Sequence, residues 1–453
     1  MTMIEDNDYP RSRMVSKGSR YSSNIKAYIA SVIAFGLLSL QLASQTAYSF
    51  PIEITNSLSA SRRNVLQSFV GSIILVNKMS SHANNQVPSK INWGIVGLGD
   101  VCAVKSGPPF YKCEGSELAA VMRRTPNKAK EFAANVPGGR CVGYEDLDEF
   151  LCHPNLDAVY VSTRPGTHLE ICEKVANAGK ACYVEKPVGR CAEETEKIEQ
   201  IFKEKRLPLY TAYISRAFEK TQTIKQLLST DVIGEVKSIK YMVRGHAGAR
   251  DLDSDLPWRL IAAESGGGLI MDVGCHVIDR IDYLFGPIQN ISSKVENRSG
   301  KQDIAVEDYV AIKAQIGSSS SAATKSEGAS VDLVWDFTSS EEPCDKLEIV
   351  GSKGILRTNG PPAEPLNICD GNGEILKTFE FEMPQHTGQG LIQAVTDDLR
   401  GVRKSDIVSY GENAIRAQKV LDTSLNSYYG GREVGYWNRE ESWPGNPKAA
   451  FSH

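Results

Sequence analysis

The sequence predicts two folded parts, an α/β part with a parallel sheet and then an α+β part built mostly of antiparallel strands. Three observations carry this. The stretch Ile91 to Cys102, INWGIVGLGDVC, is an apolar strand that runs into Gly97-Leu98-Gly99. From there to Ala212, short apolar runs alternate with helix-period segments, the pattern of a parallel sheet with helices on both faces. After Ala212 the period changes to two, with apolar and polar residues alternating as in half-buried antiparallel strands.

With 453 residues, 41% of them hydrophobic, the chain is long enough for two substantial cores. A formal charge of −4 leaves no electrostatic footprint for nucleic acid, so no such partner is expected. The ten cysteines contain no C-x-x-C pair, which leaves zinc and thioredoxin-like readings without support. Several sit in apolar patterns, where cysteine behaves as a small hydrophobe, so reduced thiols and no metal are expected.

Residues 1–89 read as a targeting presequence. A polar start carrying Arg11, Arg13, Lys17, Arg20 and Lys26 precedes an apolar run from Ala27 to Leu42, short for a membrane span. Ala47-Tyr48-Ser49 suits signal-peptide cleavage, and Phe50-Pro51 follows, which resembles the bipartite presequences of algae with complex plastids. Ser61-Arg62-Arg63-Asn64 resembles a twin-arginine motif, with Phe69 to Val76 as its apolar region and Ser81-His82-Ala83 as a second cleavage site. The mature chain then begins near Asn84, has no stable membrane span, and lies in a plastid stroma or thylakoid lumen. The secretory pathway and an uncleaved membrane anchor are the alternatives.

Residues 90–213 form the first domain. In a dinucleotide-binding (Rossmann) fold, Gly97 allows the tight turn after the first strand, and Gly99 lets a pyrophosphate approach the backbone at a helix N-terminus. Cys102 stands at the third glycine position of G-x-G-x-x-G. It is small enough for close helix–strand packing, though an ordinary tight turn is the other reading. Further strands are expected at Leu118–Met122, Asp157–Ser162, Ala181–Val184 and Leu207–Ala212, with helices at Thr125–Ala134, His168–Ala178 and Ala192–Lys205. At the end of the second strand an acidic residue would bind the ribose 2′-hydroxyl of NAD; this chain has Arg123-Arg124, which favours the 2′-phosphate of NADP over NAD.

Residues 214–440 form the second domain and 441–453 a tail. Strands are expected at Val236–Val243, Asp308–Ile316, Val331–Phe337 and Lys346–Val350, and Gly351-Ser352-Lys353-Gly354 reads as a turn between strands. Ser318 to Ser330 is a Ser/Ala-rich insertion expected to be exposed. Helices are expected at Leu391–Leu399 and Glu412–Leu425, the second packing back on the body of the protein. Gly266-Gly267-Gly268 is a tight turn at the cleft and precedes a helix with Asp272 and His276 four apart, hence on one face. A histidine of ordinary pKa, about 6.5, can take and return a proton near neutral pH.

Glu185-Lys186-Pro187 at the end of the fourth strand, together with the opening glycines, resembles the glucose–fructose oxidoreductase/inositol dehydrogenase (Gfo/Idh/MocA) family. Gly99-Asp100-Val101, Lys105-Ser106-Gly107-Pro108, Trp258-Arg259, Asp272-Val273-Gly274-Cys275-His276 and Pro384-Gln385-His386 follow in family order, and the resemblance spans Asn92 to Trp437. Tyr213-Ile214-Ser215-Arg216 and Val408-Ser409-Tyr410-Gly411 depart from the family pattern and leave the substrate open. The resemblance implies a large open sheet in the second domain and a homodimer or higher homo-oligomer. It implies cofactor contacts from Gly97, Leu98, Gly99, Asp100, Val101, Arg123, Arg124, Ser162, Thr163, His168, Glu185 and Lys186. It also implies catalysis by Lys186, Asp272 and His276, with Asp272 orienting His276 or holding a substrate hydroxyl. Supporting substrate residues are Lys105, Tyr213, Arg216, Trp258 and Arg259. Lys105 either reaches the cleft or caps its loop, and Trp258-Arg259 either packs a sugar face or is structural.

The expected activity is NADP-dependent hydride transfer to or from a secondary alcohol of a sugar, cyclic polyol or dihydrodiol. An aldose–aldose oxidoreductase that keeps NADP bound is one alternative. A nucleotide-sensing binding protein without turnover is another, against which Lys186, Asp272 and His276 speak, since a sensor needs no proton relay.

Overall fold

The computed structural model describes residues 89–99, 102–245, 257–300, 304–320 and 322–432, with Tyr436 and Arg439. The expected presequence with its cleavage sites, the tail 441–453, and the cofactor candidates Asp100 and Val101 lie outside the described residues.

Six parallel strands form the first sheet: β1 (Ile91–Val96), β2 (Ser116–Met122), β3 (Val142–Tyr144), β4 (Ala158–Val161), β5 (Ala181–Val184) and β6 (Leu209–Thr211). Their spatial order is β3-β2-β1-β4-β5-β6, the doubly wound arrangement in which chain direction switches between β1 and β4. The crossover helices are α1 (Lys128–Ala134), α2 (His168–Asn177) and α3 (Ala192–Lys205). α1 begins later than the expected Thr125 because Asn127, at φ 64°, is left-handed and marks its start. Burial explains the near-continuous apolar strands: Trp93, Tyr160 and Tyr183 come from β1, β4 and β5, and with Phe110 they form one aromatic layer.

The second sheet has eight strands: β7 (Val236–Arg244), β8 (Ile288–Glu296), β9 (Tyr309–Ile316), β10 (Ser330–Asp336), β11 (Cys344–Gly351), β12 (Ile355–Asn359), β13 (Leu366–Cys369) and β14 (Ile375–Phe379). The order is β14-β13-β12-β11-β7-β10-β9-β8, antiparallel except between β7 and β10. The helices of this part are α4 (Glu219–Ser229), α5 (Leu269–Phe285), α6 (Gln389–Arg400) and α7 (Gly411–Leu425). α5 and α7 share one core with the sheet, where Ile278, Ile281 and Leu421 meet Val331, Leu333 and Trp335. α6 instead returns to the first sheet and packs Leu391, Ile392 and Val395 on the layer of Trp93 and Phe110. No described helix is long and apolar enough to cross a membrane.

The insertion Ser318–Ser330 is not simply exposed. Ser326 is buried, and its hydroxyl donates to the Phe285 carbonyl at 3.0 Å, while the Ala323 amide donates to Leu284 at 3.1 Å. These bonds satisfy carbonyls that the end of α5 would otherwise leave open.

Candidate active site

The switch point is built by the glycine turn. Gly97 has φ +95°, and a Cβ there would stand 2.6 Å from the Ser162 carbonyl, so the ends of β1 and β4 meet at a distance only glycine permits. Gly99 is exposed with nothing within 4 Å of the same position, which leaves backbone open to a ligand. The following segment is not a long helix: Cys102–Ser106 makes a single turn before Pro108 and Pro109. The helix dipole expected behind the pyrophosphate is therefore short. Cys102 is buried, and burial pushes its thiol up to about 12. Lys105 lies on this turn and is exposed.

The two arginines after β2 differ. Arg123 is half-buried; its Nη1 donates to the Leu98 carbonyl and its Nε to Thr125 Oγ1 at 3.3 Å, so it braces the glycine turn. Arg124 is exposed, with no bonded partner among the described residues.

On the other side of the switch point, Ser162 and Thr163 end β4, and Thr163 Oγ1 accepts from Thr167 at 2.9 Å. His168 is fully buried, with its ring nitrogens 3.0 Å from the Val188 carbonyl and 3.2 Å from the Thr163 carbonyl. It ties the Thr163 loop to the Val188 segment, so both of its ring nitrogens are engaged by backbone carbonyls. The carboxylate of Glu185 is engaged within the protein. One carboxylate oxygen accepts from the Tyr160 hydroxyl and the other from the Lys186 amide at 3.2 Å, and burial raises its pKa. Nothing in the sequence marked Tyr160 as its partner, since the two are 25 residues apart.

Lys186 precedes a cis peptide to Pro187 and crosses from the first sheet to α5. Its Nζ donates to Asp272 Oδ1 at 2.5 Å and to the Asp272 carbonyl at 2.9 Å. Asp272 Oδ2 accepts from Arg259 Nε at 2.6 Å, and that guanidinium lies 4.4 Å over the Trp258 ring. Burial alone would raise the carboxyl pKa of Asp272, but the charges of Lys186 and Arg259 outweigh it and hold it well below the carboxylate range. Burial opposes the charge on Lys186 too, and Asp272 more than restores it, so the ammonium pKa is raised.

Both Asp272 oxygens are thus taken by cations, and the structure has no Asp272–His276 hydrogen bond. His276 is half-buried on the same helix face, one turn on, and its ring centroid lies 6.1 Å from that of Tyr213 with the planes 73° apart. Its Nδ1 is buried with no partner among the described residues. Burial first, and the Lys186 charge second, push its pKa down to about 3, so the ring is neutral at pH 7. An open glycine cradle and an unpartnered imidazole nitrogen beside a held ammonium fit a bound nucleotide and an alcohol substrate.

Two expectations fall away from the cleft. Arg216 is buried and forks onto Asp279 at 2.6 and 2.9 Å, which anchors α5. Gly266-Gly267-Gly268 pack below the site. A Cβ on Gly268 would lie 2.1 Å from the Glu307 carbonyl, and the Gly268 amide donates to the buried Glu307 carboxylate at 2.8 Å.

A family model described as an oxidoreductase family with an NAD-binding Rossmann fold matches residues 91–213, and the GFO/IDH/MocA C-terminal domain matches residues 221–357. An oxidoreductase of Formosa agariphila is 30% identical over 308 residues, covering 67% of this chain and 89% of that protein. The dTDP-3,4-didehydro-2,6-dideoxy-alpha-D-glucose 3-reductase of Saccharopolyspora spinosa is 27% identical over 277 residues, 60% of this chain and 76% of that protein. The solved structure of aldose–aldose oxidoreductase from Caulobacter crescentus, complexed with glycerol, has a TM-score of 0.63 at 22% identity over 75% of this chain and 97% of that one.

Proposed function

The chain belongs to the Gfo/Idh/MocA family of nicotinamide-dependent oxidoreductases, and from that premise we propose that it moves hydride between NADP and a secondary alcohol or ketone of a sugar, cyclic polyol or dihydrodiol. The observation that carries this is the Lys186–Asp272 pair beside the unpartnered His276, where the end of β5 meets α5. A bound nicotinamide supplies or accepts the hydride at C4. Lys186 stays cationic and donates to the substrate oxygen, stabilising the alkoxide character that develops there. His276 takes the hydroxyl proton on oxidation and returns it on reduction. Asp272 acts through Lys186, fixing the ammonium in place, and Arg259 fixes Asp272 in turn. The Saccharopolyspora relative, named for reducing a didehydro sugar, supports the sugar class.

Preference for NADP rests on Arg124, exposed and unengaged where NAD-binding chains carry a carboxylate. Fluorescence titration with NADPH and NADH tests it. NADPH should bind at least tenfold more tightly, and Arg124→Ala should erase the difference by weakening NADPH alone. Arg123→Ala should weaken both, because Arg123 braces the glycine turn that both nucleotides need. Equal binding by the parent protein, or NADH preference, would overturn the assignment.

A further inference from the structure

Asp272 and His276 share a face of α5 with a third residue, Arg280, one turn beyond His276 and about 12 Å along the axis from Asp272. Arg280 is only 6% exposed. Its Nε is buried without a hydrogen-bond partner, and among the described residues no carboxylate pairs with it. The acidic residues flanking it on the helix are already committed. Asp279 holds Arg216 at 2.6 Å, and Asp282 holds Arg416 at 2.7 Å.

A second cation stands close by. Lys220 of α4 is 2% exposed, and its Nζ donates to the Asn359 carbonyl at 2.6 Å and the Pro361 carbonyl at 2.5 Å, two neutral acceptors. Burial, and after it the charge of Arg280, push the Lys220 ammonium down to about 8, with Asp345 and Glu364 opposing. Asp345 of β11 is the acidic group of the same cluster: its charge reaches Lys220 and Tyr241 and its Oδ1 is buried without a partner, but it forms no ion pair with Arg280, so the guanidinium itself stays unpaired. The Arg280 charge also reaches Tyr241 of β7 and His276. An unpaired buried cation is costly, and an anion brought by a ligand offsets that cost.

We infer that Arg280 and Lys220 are the far end of the substrate site and bind an oxyanion, a carboxylate or a phosphate, carried by the sugar or polyol whose alcohol lies at Lys186 and His276. This rests on the hydride-transfer reading above. The substrate class is then a sugar acid or a sugar phosphate rather than a neutral sugar. A guanidinium fork matches either group with two parallel hydrogen bonds, and a neutral sugar leaves that fork unpaired.

The test compares D-glucuronate, D-glucose 6-phosphate and D-glucose by calorimetry, with and without saturating NADP, and by initial rate. One anionic sugar should bind at least tenfold more tightly than D-glucose. Glucuronate ahead identifies a carboxylate site, and glucose 6-phosphate ahead a phosphate site. Arg280→Gln should remove the preference and raise KM for the anionic sugar at least tenfold, with the NADPH titration unchanged. Arg280→Lys should keep part of it, and Lys220→Met is the second variant should Arg280→Gln fail to fold. Equal binding of all three sugars, or a preference that survives both Arg280→Gln and Lys220→Met, overturns the inference. Hydride transfer to sugars without anion preference overturns the inference alone. Anion binding that depends on Arg280 in a protein that binds no nicotinamide keeps the site and overturns the hydride-transfer reading instead.

Discussion

Asp272 divides its two oxygens between Lys186 and Arg259, and that division sets the charge state of everything around it. It secures the ammonium, and the ammonium in turn helps keep His276 neutral. His276 should therefore show no inflection between pH 5 and 8 when its ring protons are followed by NMR in the cofactor-free protein; a midpoint near 6.5 would contradict the geometry. The linkage has a definite sign. The unfolded chain protonates this histidine below about 6.5, whereas the folded one does so only near 3. Its contribution to stability is full above the higher value and is lost as pH falls toward the lower one. His276→Asn should make that acid-side loss shallower in denaturant titrations. Lys186, Asp272 and His276 were legible because a strand end and an i, i+4 spacing are local patterns. The ion pair of Arg216 was not, because Asp279 lies 63 residues away and neither position carries a local mark.

Helix α5 is the element on which the site is assembled, and buried charge pairs hold it in place. Arg216 grips Asp279 and Arg416 grips Asp282, one from the segment after β6 and one from α7. Arg216→Met leaves the Asp279 charge buried and unpaired, and should cost about 3–5 kcal/mol in urea unfolding. Replacing both, Arg216→Met with Asp279→Leu, should recover much of that, and an undiminished loss in the double variant would mean the pair is not what the single change breaks. Helices α1, α2, α3, α6 and α7 and strands β2, β4 to β7 and β9 to β11 were legible from periodicity and fell within a few residues of their expected ends. β3, β8, β12, β13, β14 and α4 were not: β3 has only three residues, and β14 holds Ile375 and Leu376 in solvent, so its apolar residues mark no buried face.

At the scale of the molecule, the chain returns to where it began. α6 covers the aromatic layer of the first sheet, and Asp398 near its end accepts from both Tyr210 and Tyr410, at 2.8 and 3.1 Å. The Thr211 amide donates to the Ser409 carbonyl, so this returning segment also closes the free edge of β6. The cysteines follow the same packing. All ten are free thiols, and only Cys152 is exposed, so native labelling by a thiol reagent should begin there and reach all ten only on unfolding without reductant. Fewer than ten in the unfolded chain would reveal a disulfide that the structure does not contain. The central claim, that Lys186 acts on the reacting oxygen rather than on the nucleotide, is tested most directly by following NADPH oxidation in a single turnover with Lys186→Ala beside the parent protein, with NADPH affinity measured on the same samples. Affinity within about twofold and a rate lower by about 10²–10³ is the predicted result. An unchanged rate, or a loss of NADPH binding that accounts for the whole loss of rate, would contradict it.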